Sequence, residues 1–295
     1  MHRFLRFNSK EDFKIKIAIV VVLYNKEINE SATIRTLVEK GLNNVYLTIH
    51  NNGPKNIAAP TEFLELLSLR CIVVNVENCI ENKPLSNLYN DFIESHADFD
   101  KFILLDDDSE ITQSFMDSIE KDDYDLEIPK IVSRVDNQVY YPISNGHVIT
   151  DDCFLDVQGT SSIGSGLLFT KRLVNVFSKH NLKLFDENYA LYGVDVSLFR
   201  RMWNLNRKGE VFKLKTSSSI LHSLSRAEGQ ESAFRSNERL IDYAITARRY
   251  PTPRLYASFL KRGLKQLVGM RFREFFQMCG YFISGVHPRS KMWDK

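Results

Sequence analysis

Ile15-Lys16-Ile17-Ala18-Ile19-Val20-Val21-Val22-Leu23-Tyr24 is the stretch on which the reading of this chain turns. From Ile17 to Leu23 it is continuously apolar and rich in β-branched residues, so it reads as a strand buried on both faces, the habit of a parallel sheet. Outward from it, 25–30 is a polar loop, and Ser31 can cap a helix that runs to about Lys40 and is stopped by Gly41. A second strand over 45–50 ends in the turn Asn51-Asn52-Gly53-Pro54. Helical spacing over 61–69, a third strand over 71–76, a helix over 85–95 and a fourth strand over 101–105 complete the alternation. Strands alternating with helices predict an α/β domain, a mostly parallel central sheet flanked by helices. Ligands of such sheets bind at the carboxyl ends of the strands. After residue 120 the pattern loosens. Short strands fit 128–141, a small-residue stretch covers 160–166, and helices fit 167–177 and 194–203. One strand fits 211–221, and from Glu238 onward the chain reads as basic helix interrupted by Pro251 and Pro253.

The chain has 295 residues, and its 43% hydrophobic and 26% charged content excludes a disordered chain, a collagen and a disulfide-stapled mini-protein. No window holds the ~18 consecutive apolar residues of a spanning helix, and Met1-His2-Arg3-Phe4-Leu5-Arg6 lacks the apolar core of a signal peptide. Cys71, Cys79, Cys153 and Cys279 show no CxxC or Cys/His metal spacing. A reduced, cytoplasmic protein is the expectation. Charge is uneven. After position 247 there are eleven Lys and Arg against two acids, so of the overall +2 the tail carries +9 and the preceding residues −7. A basic tail on an acidic body is expected to meet something anionic.

Phe102-Ile103-Leu104-Leu105-Asp106-Asp107-Asp108-Ser109 delivers three carboxylates from a buried strand to the sheet's ligand-binding edge. Adjacent carboxylates repel unless a cation neutralises them, and hard oxygen ligands suit Mg²⁺ or Mn²⁺ bridging substrate phosphates. The same string also fits a solvated acidic turn. Asp186-Glu187 and Asp195 form a second acidic region. Asp195 reads either as a residue favoured by a helix dipole or as a general base taking a proton from a hydroxyl. His222, after the strand-like Ser219-Ile220-Leu221, is a structural histidine unless it converges with the acidic cluster.

In order and spacing these strings resemble family 2 glycosyltransferases of the GT-A fold, a resemblance covering about residues 15–250. Val20-Val21-Val22-Leu23-Tyr24-Asn25 resembles the first strand and its nucleotide-contacting turn. His50-Asn51-Asn52-Gly53 resembles the turn that holds the base, with Asn51 where Asp is usual. Leu104-Leu105-Asp106-Asp107-Asp108 resembles the DxD motif, and Gly164-Ser165-Gly166-Leu167-Leu168 the small-residue segment lining the sugar and acceptor site. Phe185-Asp186-Glu187 with Gly193-Val194-Asp195 resembles the segment ending in the catalytic base, although Val194 replaces the usual Glu. Asn78-Cys79-Ile80 lacks the Gly of the family's Asn-x-Gly.

The resemblance implies an inverting, metal-dependent hexosyltransferase that acts from a UDP- or dTDP-linked sugar on a glycan or lipid-linked acceptor in bacterial surface polysaccharide (O-antigen or capsule) synthesis. It implies Asp195 as catalytic base and Tyr24, Asn25, Asn51, Asn52, Asp106, Asp107 and Gly166 as nucleotide-sugar contacts. It implies Asp106, Asp108 and His222 as ligands of Mn²⁺ or Mg²⁺. The expected domains are a GT-A domain over 1–247, with a nucleotide half about 15–110 and an acceptor half about 111–247, and a basic amphipathic helical tail over 248–295. In that tail, apolar positions over 256–283 recur at spacings of three and four beside Lys261, Arg262, Lys265, Arg271 and Arg273. This suits either peripheral contact with an anionic membrane on its inner face or helices packed on the domain. No nucleic-acid motif accompanies the charge. The competing readings are a degenerate GT-A protein acting as a non-catalytic binding partner and a DxD phosphohydrolase. The latter places its Asp pair after a first strand with Thr two residues on, where this chain has Glu110 after a fourth strand.

Overall fold

The computed structural model describes residues 15–41, 45–58, 61–69, 73–223 and 232–293. Met1-His2-Arg3-Phe4-Leu5-Arg6 and Cys71, the expected start of the third strand, lie outside the described residues. The first half runs β1 (Ile17–Leu23), α1 (Ala32–Lys40), β2 (Val45–Asn51), α2 (Thr61–Ser68), β3 (Val73–Asn78), α3 (Leu85–Ser95) and β4 (Lys101–Asp106). These bounds match the sequence reading to within about two residues. Ser31 caps α1 by accepting from the Ile34 amide, and Gly41 ends it in the left-handed conformation. Strand β1 lies between β2 and β4, and β3 flanks β2, all parallel. Two-sided burial is literal here. Ala18, Val20, Val22, Phe102 and Leu104 join one core with α3, while Ile19, Val21, Leu23, Ile103 and Leu105 join another with Ile34 and Leu37 of α1.

The second half runs β5 (Ser109–Ile111), α4 (Gln113–Ile119), β6 (Leu126–Glu127), β7 (Lys130–Ser133), β8 (Val139–Tyr141), β9 (Ile143–Ser144), β10 (His147–Val148), β11 (Cys153–Leu155), β12 (Thr160–Ser161) and β13 (Leu168–Thr170). It continues with α5 (Lys171–Lys179), α6 (Val194–Asn206), β14 (Leu214–Thr216), β15 (Ser219–His222), α7 (Ala233–Arg249), α8 (Pro253–Val268), α9 (Phe272–Ser284) and α10 (Pro288–Trp293). The main sheet has the order β11-β14-β6-β13-β4-β1-β2-β3, and a second sheet the order β5-β15-β7-β8.

Three sequence expectations are corrected. The helix expected from Leu167 begins with β13, antiparallel to β4 and β6, and only Lys171 starts the helix. A short buried apolar run carries no period that separates strand from helix. The single strand over 211–221 is two strands in different sheets. The fully buried Glu127 carboxylate accepts from the Ser217 and Ser218 amides at 2.8 and 3.0 Å and from the Ser218 hydroxyl, holding a bend between them. The amphipathic stripe over 256–283 is broken into α8 and α9 around Gly269-Met270-Arg271.

Helix α7 joins the two parts of the molecule. Its Ile241 and Ile245 enter the large core, and its Leu240 and Ala244 pack with Met278 of α9. Residue 247, the boundary expected from charge, falls inside α7.

Candidate active site

Register places the site. Leu23 pairs with Asn51, Asn51 with Asn78, and Val22 with Asp106, so the four parallel strands end on one line. Backbone bonds lace the loops that follow. The Asn25 amide donates to Gly53 O at 2.7 Å, Asn52 to Leu23 O at 2.8 Å, and Cys79 to Asn51 O at 2.8 Å.

Strand β4 hands over to β5 through Asp107 and Asp108, and β5 pairs with β15 so that Ser109 faces His222. This pairing brings the histidine to the acids. Ser109 Oγ lies 2.9 Å from His222 Nδ1 and 2.7 Å from Ser165 Oγ, which in turn accepts from the Asp106 amide at 3.0 Å. Asp106, Asp108 and His222 each present a donor atom, all within 4.8 Å of one another. Asp108 Oδ1 is buried, accepts no hydrogen bond and lies 3.2 Å from His222 Nδ1. Burial, and then the charges of Asp108, Asp195 and Asp107, push the Asp106 pKa well above the usual carboxylate range. Burial likewise raises Asp108, against the opposing pull of His222. Two crowded carboxylates, an imidazole and an unpartnered buried oxygen fit a divalent cation, which would relieve the repulsion.

Asp195 lies in the first turn of α6, whose N-cap is Gly193 rather than an acidic side chain. Gly193 has φ 80°, and a Cβ there would collide with Asp242 and Tyr189, so only glycine lets α7 approach this helix start. Gly164 lies against the Asp195 carboxylate, where a Cβ would stand 3.0 Å from Oδ1. Burial raises the Asp195 pKa to about 6, against the lowering pull of the Gly164 amide and with Asp242 adding to the rise.

Asp106, Asp108, His222, Gly164 and Asp195 line one cleft of about 740 Å³. The site residues expected from sequence divide between this cleft and the loops beside it. Tyr24 is exposed at the end of β1, and Asn25 holds a left-handed turn at φ 51°. Asn51 is buried and fully engaged: its amide donates to Lys55 O and Asn78 Oδ1, both at 2.6 Å, and accepts from the Gly53 amide. Asn52 donates to Lys83 O at 2.9 Å. Asp107 faces the β1 loop, bonding Lys26 Nζ at 2.5 Å and the Tyr24 amide at 3.4 Å. Gly166 does not line the cleft; it packs against Pro129 and Ile220, and Gly164 is the glycine that does. Asp186 is also outside it. Burial alone would raise its pKa, but Arg201, Asn188 and Arg249 outweigh that and hold it low. Its oxygens accept from Arg249 Nε at 2.9 Å and the Tyr250 hydroxyl at 2.8 Å, with Arg201 at 3.2 Å.

The sequence reading missed Arg235, Arg239 and Asp242, which α7 contributes to the cleft. The available signal was an acid set in the chain directly among Leu240, Ile241 and Ala244. Asp242 is half-buried, and desolvation raises its pKa to about 6, although Thr246 donates to it at 3.2 Å.

No protein-family model matches the sequence, and no curated protein does. Solved structures do match. S. aureus TarS 1–349 in complex with UDP-GlcNAc superposes with a TM-score of 0.53 at 12% identity, covering 94% of this chain and 83% of that one. The same fragment in complex with UDP gives the same score and identity, with 94% and 82% covered. A longer TarS structure also covers 94% of this chain, which spans 50% of its length. At this identity the likeness is one of fold, and its reach over nearly the whole chain, with the parallel strands ending at an acidic cleft, establishes that the molecule has the glycosyltransferase GT-A fold.

Proposed function

We propose that this chain is an inverting, metal-dependent glycosyltransferase of the hexosyltransferase class. It moves a sugar from a UDP- or dTDP-linked donor to a hydroxyl of a glycan or lipid-linked acceptor, in bacterial surface polysaccharide (O-antigen or capsule) synthesis. The observation that carries the reading is the convergence of Asp106, Asp108 and His222 with Asp195 in one cleft at the carboxyl edge of a GT-A sheet. The UDP-GlcNAc in the TarS complex supports a nucleotide-sugar donor.

Asp106, Asp108 and His222 would hold Mn²⁺ or Mg²⁺, which when bound offsets the charge gathering on the leaving diphosphate. Asp195, with a pKa of about 6, is mostly ionised at neutral pH. It takes the acceptor hydroxyl proton as that oxygen attacks the anomeric carbon from the face opposite the diphosphate. The new glycosidic C–O bond forms, the old one to phosphate breaks, and its electron pair leaves on the nucleoside diphosphate. One displacement inverts the centre. The Tyr24-Asn25 loop and the Asn51-Asn52 turn hold the nucleoside, with Asn51 acting through the turn that it braces and Asp107 by fastening the β1 loop. Gly166 serves the sugar site through the packing that sets Gly164.

Thermal unfolding with UDP, dTDP and GDP, each with Mn²⁺ and with EDTA, tests the donor site. A nucleotide at about 100 times its Kd adds about 2.7 kcal/mol of stability, so one nucleotide should raise Tm by a few degrees only with metal present. Asp108→Ala should abolish that rise. A nucleotide-independent Tm in both conditions overturns the donor reading.

The same protein is peripheral to an anionic membrane, on its inner face, through 256–283. In support, Leu260, Leu264, Val268 and Met270 stand exposed beside Lys261 and Lys265. Phe259, Phe275, Met278 and Phe282 instead pack inward on α7, so both helices are docked and amphipathic. No described helix is long and apolar enough to cross a membrane.

A further inference from the structure

The cleft has a basic wall that the transfer described above does not use. Arg235 and Arg239 stand one turn apart on α7, and Arg262 of α8 lines the same cleft. Their neighbours place this wall on the side of Asp195. Arg239 lies over the ring of Tyr192 at 5.6 Å, and Tyr192 precedes Gly193, the N-cap of the helix that carries Asp195. Arg262 lies over the ring of Tyr243 at 5.2 Å, and Tyr243 follows Asp242, which crowds Gly193 from α7. Among the described residues Arg235 and Arg262 meet no carboxylate within ion-pair distance. The charge that acts on Asp195 is that of Asp242, and those that act on Asp242 are Arg200's and His287's. The three guanidiniums are therefore not spent on these two acids.

From this wall we infer that the acceptor is an acidic glycan, with an oxyanion (phosphate or carboxylate) on the unit attacked or on the unit next to it. The inference rests on the transferase reading given above and names the acceptor class for the same cleft. In an inverting displacement the acceptor hydroxyl arrives from the side of the general base, so the groups beside Asp195 are the ones the acceptor meets. The donor's negative charge gathers instead at its diphosphate, where Asp106, Asp108 and His222 would hold the metal. Guanidinium forks bind oxyanions through paired N–H donors. The Tyr243 ring steadies Arg262 without taking those donors. Arg235 and Arg239 approach from one helix and Arg262 from another. Cations from two elements suit a group with several oxygens, or successive charges along a chain. A neutral glycan would leave them to water and gain nothing from them.

The test uses the full chain, loaded with Mn²⁺ and whichever of UDP, dTDP and GDP raises its Tm. Three dye-labelled oligomers of equal length are titrated onto it: oligo(glycerol phosphate), oligogalacturonate and a neutral malto-oligosaccharide. Fluorescence anisotropy should show one anionic oligomer bound at least about tenfold more tightly than the neutral one, the worth of one charge-assisted hydrogen bond. Which of the two it is identifies the oxyanion. Arg235→Gln with Arg262→Gln, neither in an ion pair with a described residue, should lose most of that preference while the metal-dependent Tm rise with nucleotide keeps its wild-type size. Lys261→Gln with Lys265→Gln, on α8 but outside the cleft, should keep the preference. Three equal affinities, a preference kept by the arginine variant, or one lost equally in the lysine variant overturns the acidic acceptor and leaves the transferase reading standing. An arginine variant that loses the nucleotide-dependent rise assigns the wall to the donor diphosphate and overturns it too. A wild type whose Tm no nucleotide raises overturns the transferase reading itself, and the acceptor with it.

Discussion

The carboxyl edge of the parallel sheet and the C-terminal helix pair solve opposite problems. At the sheet edge, polar side chains are braced before any ligand arrives: Asn51 uses its whole amide on one turn, and Ser109 and Ser165 link His222 to the Asp106 amide. On α8, Leu264 and Val268 are left 63% and 85% exposed, with nothing among the described residues to cover them. The first is preorganisation, with the register of β1 on β2 and β4 ending these strands on one line. The second is an unpartnered face, whose order comes from the opposite side of the helix. Chemistry needs the first arrangement and docking the second, and α7 lets one chain carry both, because it lines the catalytic cleft and packs on α9.

The sharpest way to break the comparison is at the preorganised end. Asp195→Asn should cut turnover by about 10²–10⁴ while leaving metal-dependent nucleotide binding unchanged, read by initial rates beside thermal shift. Equal turnover would remove the base role from Asp195. Next in size is the joint between the two regions. Asp186 is 1% exposed and ties α6 to the end of α7 through Arg201, Arg249 and Tyr250. Removing one partner of a buried ion pair costs about 3–5 kcal/mol. The partly exposed Arg249 can turn to water, so Asp186→Asn should cost about 3 kcal/mol in urea unfolding. A change below 1 kcal/mol would mean the joint is held by packing alone.

Much of this was legible. Ser31, Gly41, the bounds of α1 and α3 and the four parallel strands follow from local pattern, because a strand buried on both sides announces itself in seven residues. The three aspartates were equally visible as a cluster, but not their division of labour: Asp107 serves the β1 loop while Asp106 and Asp108 face the cleft. What stayed hidden depends on partners far along the chain. His222 reaches the acids only through the register of β15 on β5. The break between β14 and β15 depends on Glu127, some ninety residues away. Asp242 is invisible to the charge count, which divides the chain at position 247, whereas packing runs straight through α7.

A smaller effect sharpens the account of the cleft. Burial holds Asp195 at about 6, and a general base must be ionised, so kcat/KM should fall about tenfold per pH unit below that value and level off above it. Asp195→Asn should lose this limb, whatever residual rate it keeps. A limb that persists in the variant would transfer it to another group, and Asp242, also held at about 6 in the same cleft, is the group to examine.

The smallest expected effect tests the other end of the molecule. Leu264 and Val268 touch water in the isolated protein, so Leu264→Ser with Val268→Ser should move stability by no more than about 0.5 kcal/mol. Their apolar area matters only when something covers it, at roughly 25 cal/mol per Å² removed from water. The double variant should therefore unfold at the wild-type urea midpoint and release the same nucleoside diphosphate in solution, yet float poorly with anionic vesicles. Phe259→Ser is the informative contrast, because that ring packs against Tyr243 and Phe282 on the inward side of the same helix. It should lower the midpoint, since it removes a packed side chain rather than an idle one. If the outward pair destabilised the fold as much as the inward residue, α8 would have no unpartnered face, and the contrast between a braced edge and a waiting surface would fail.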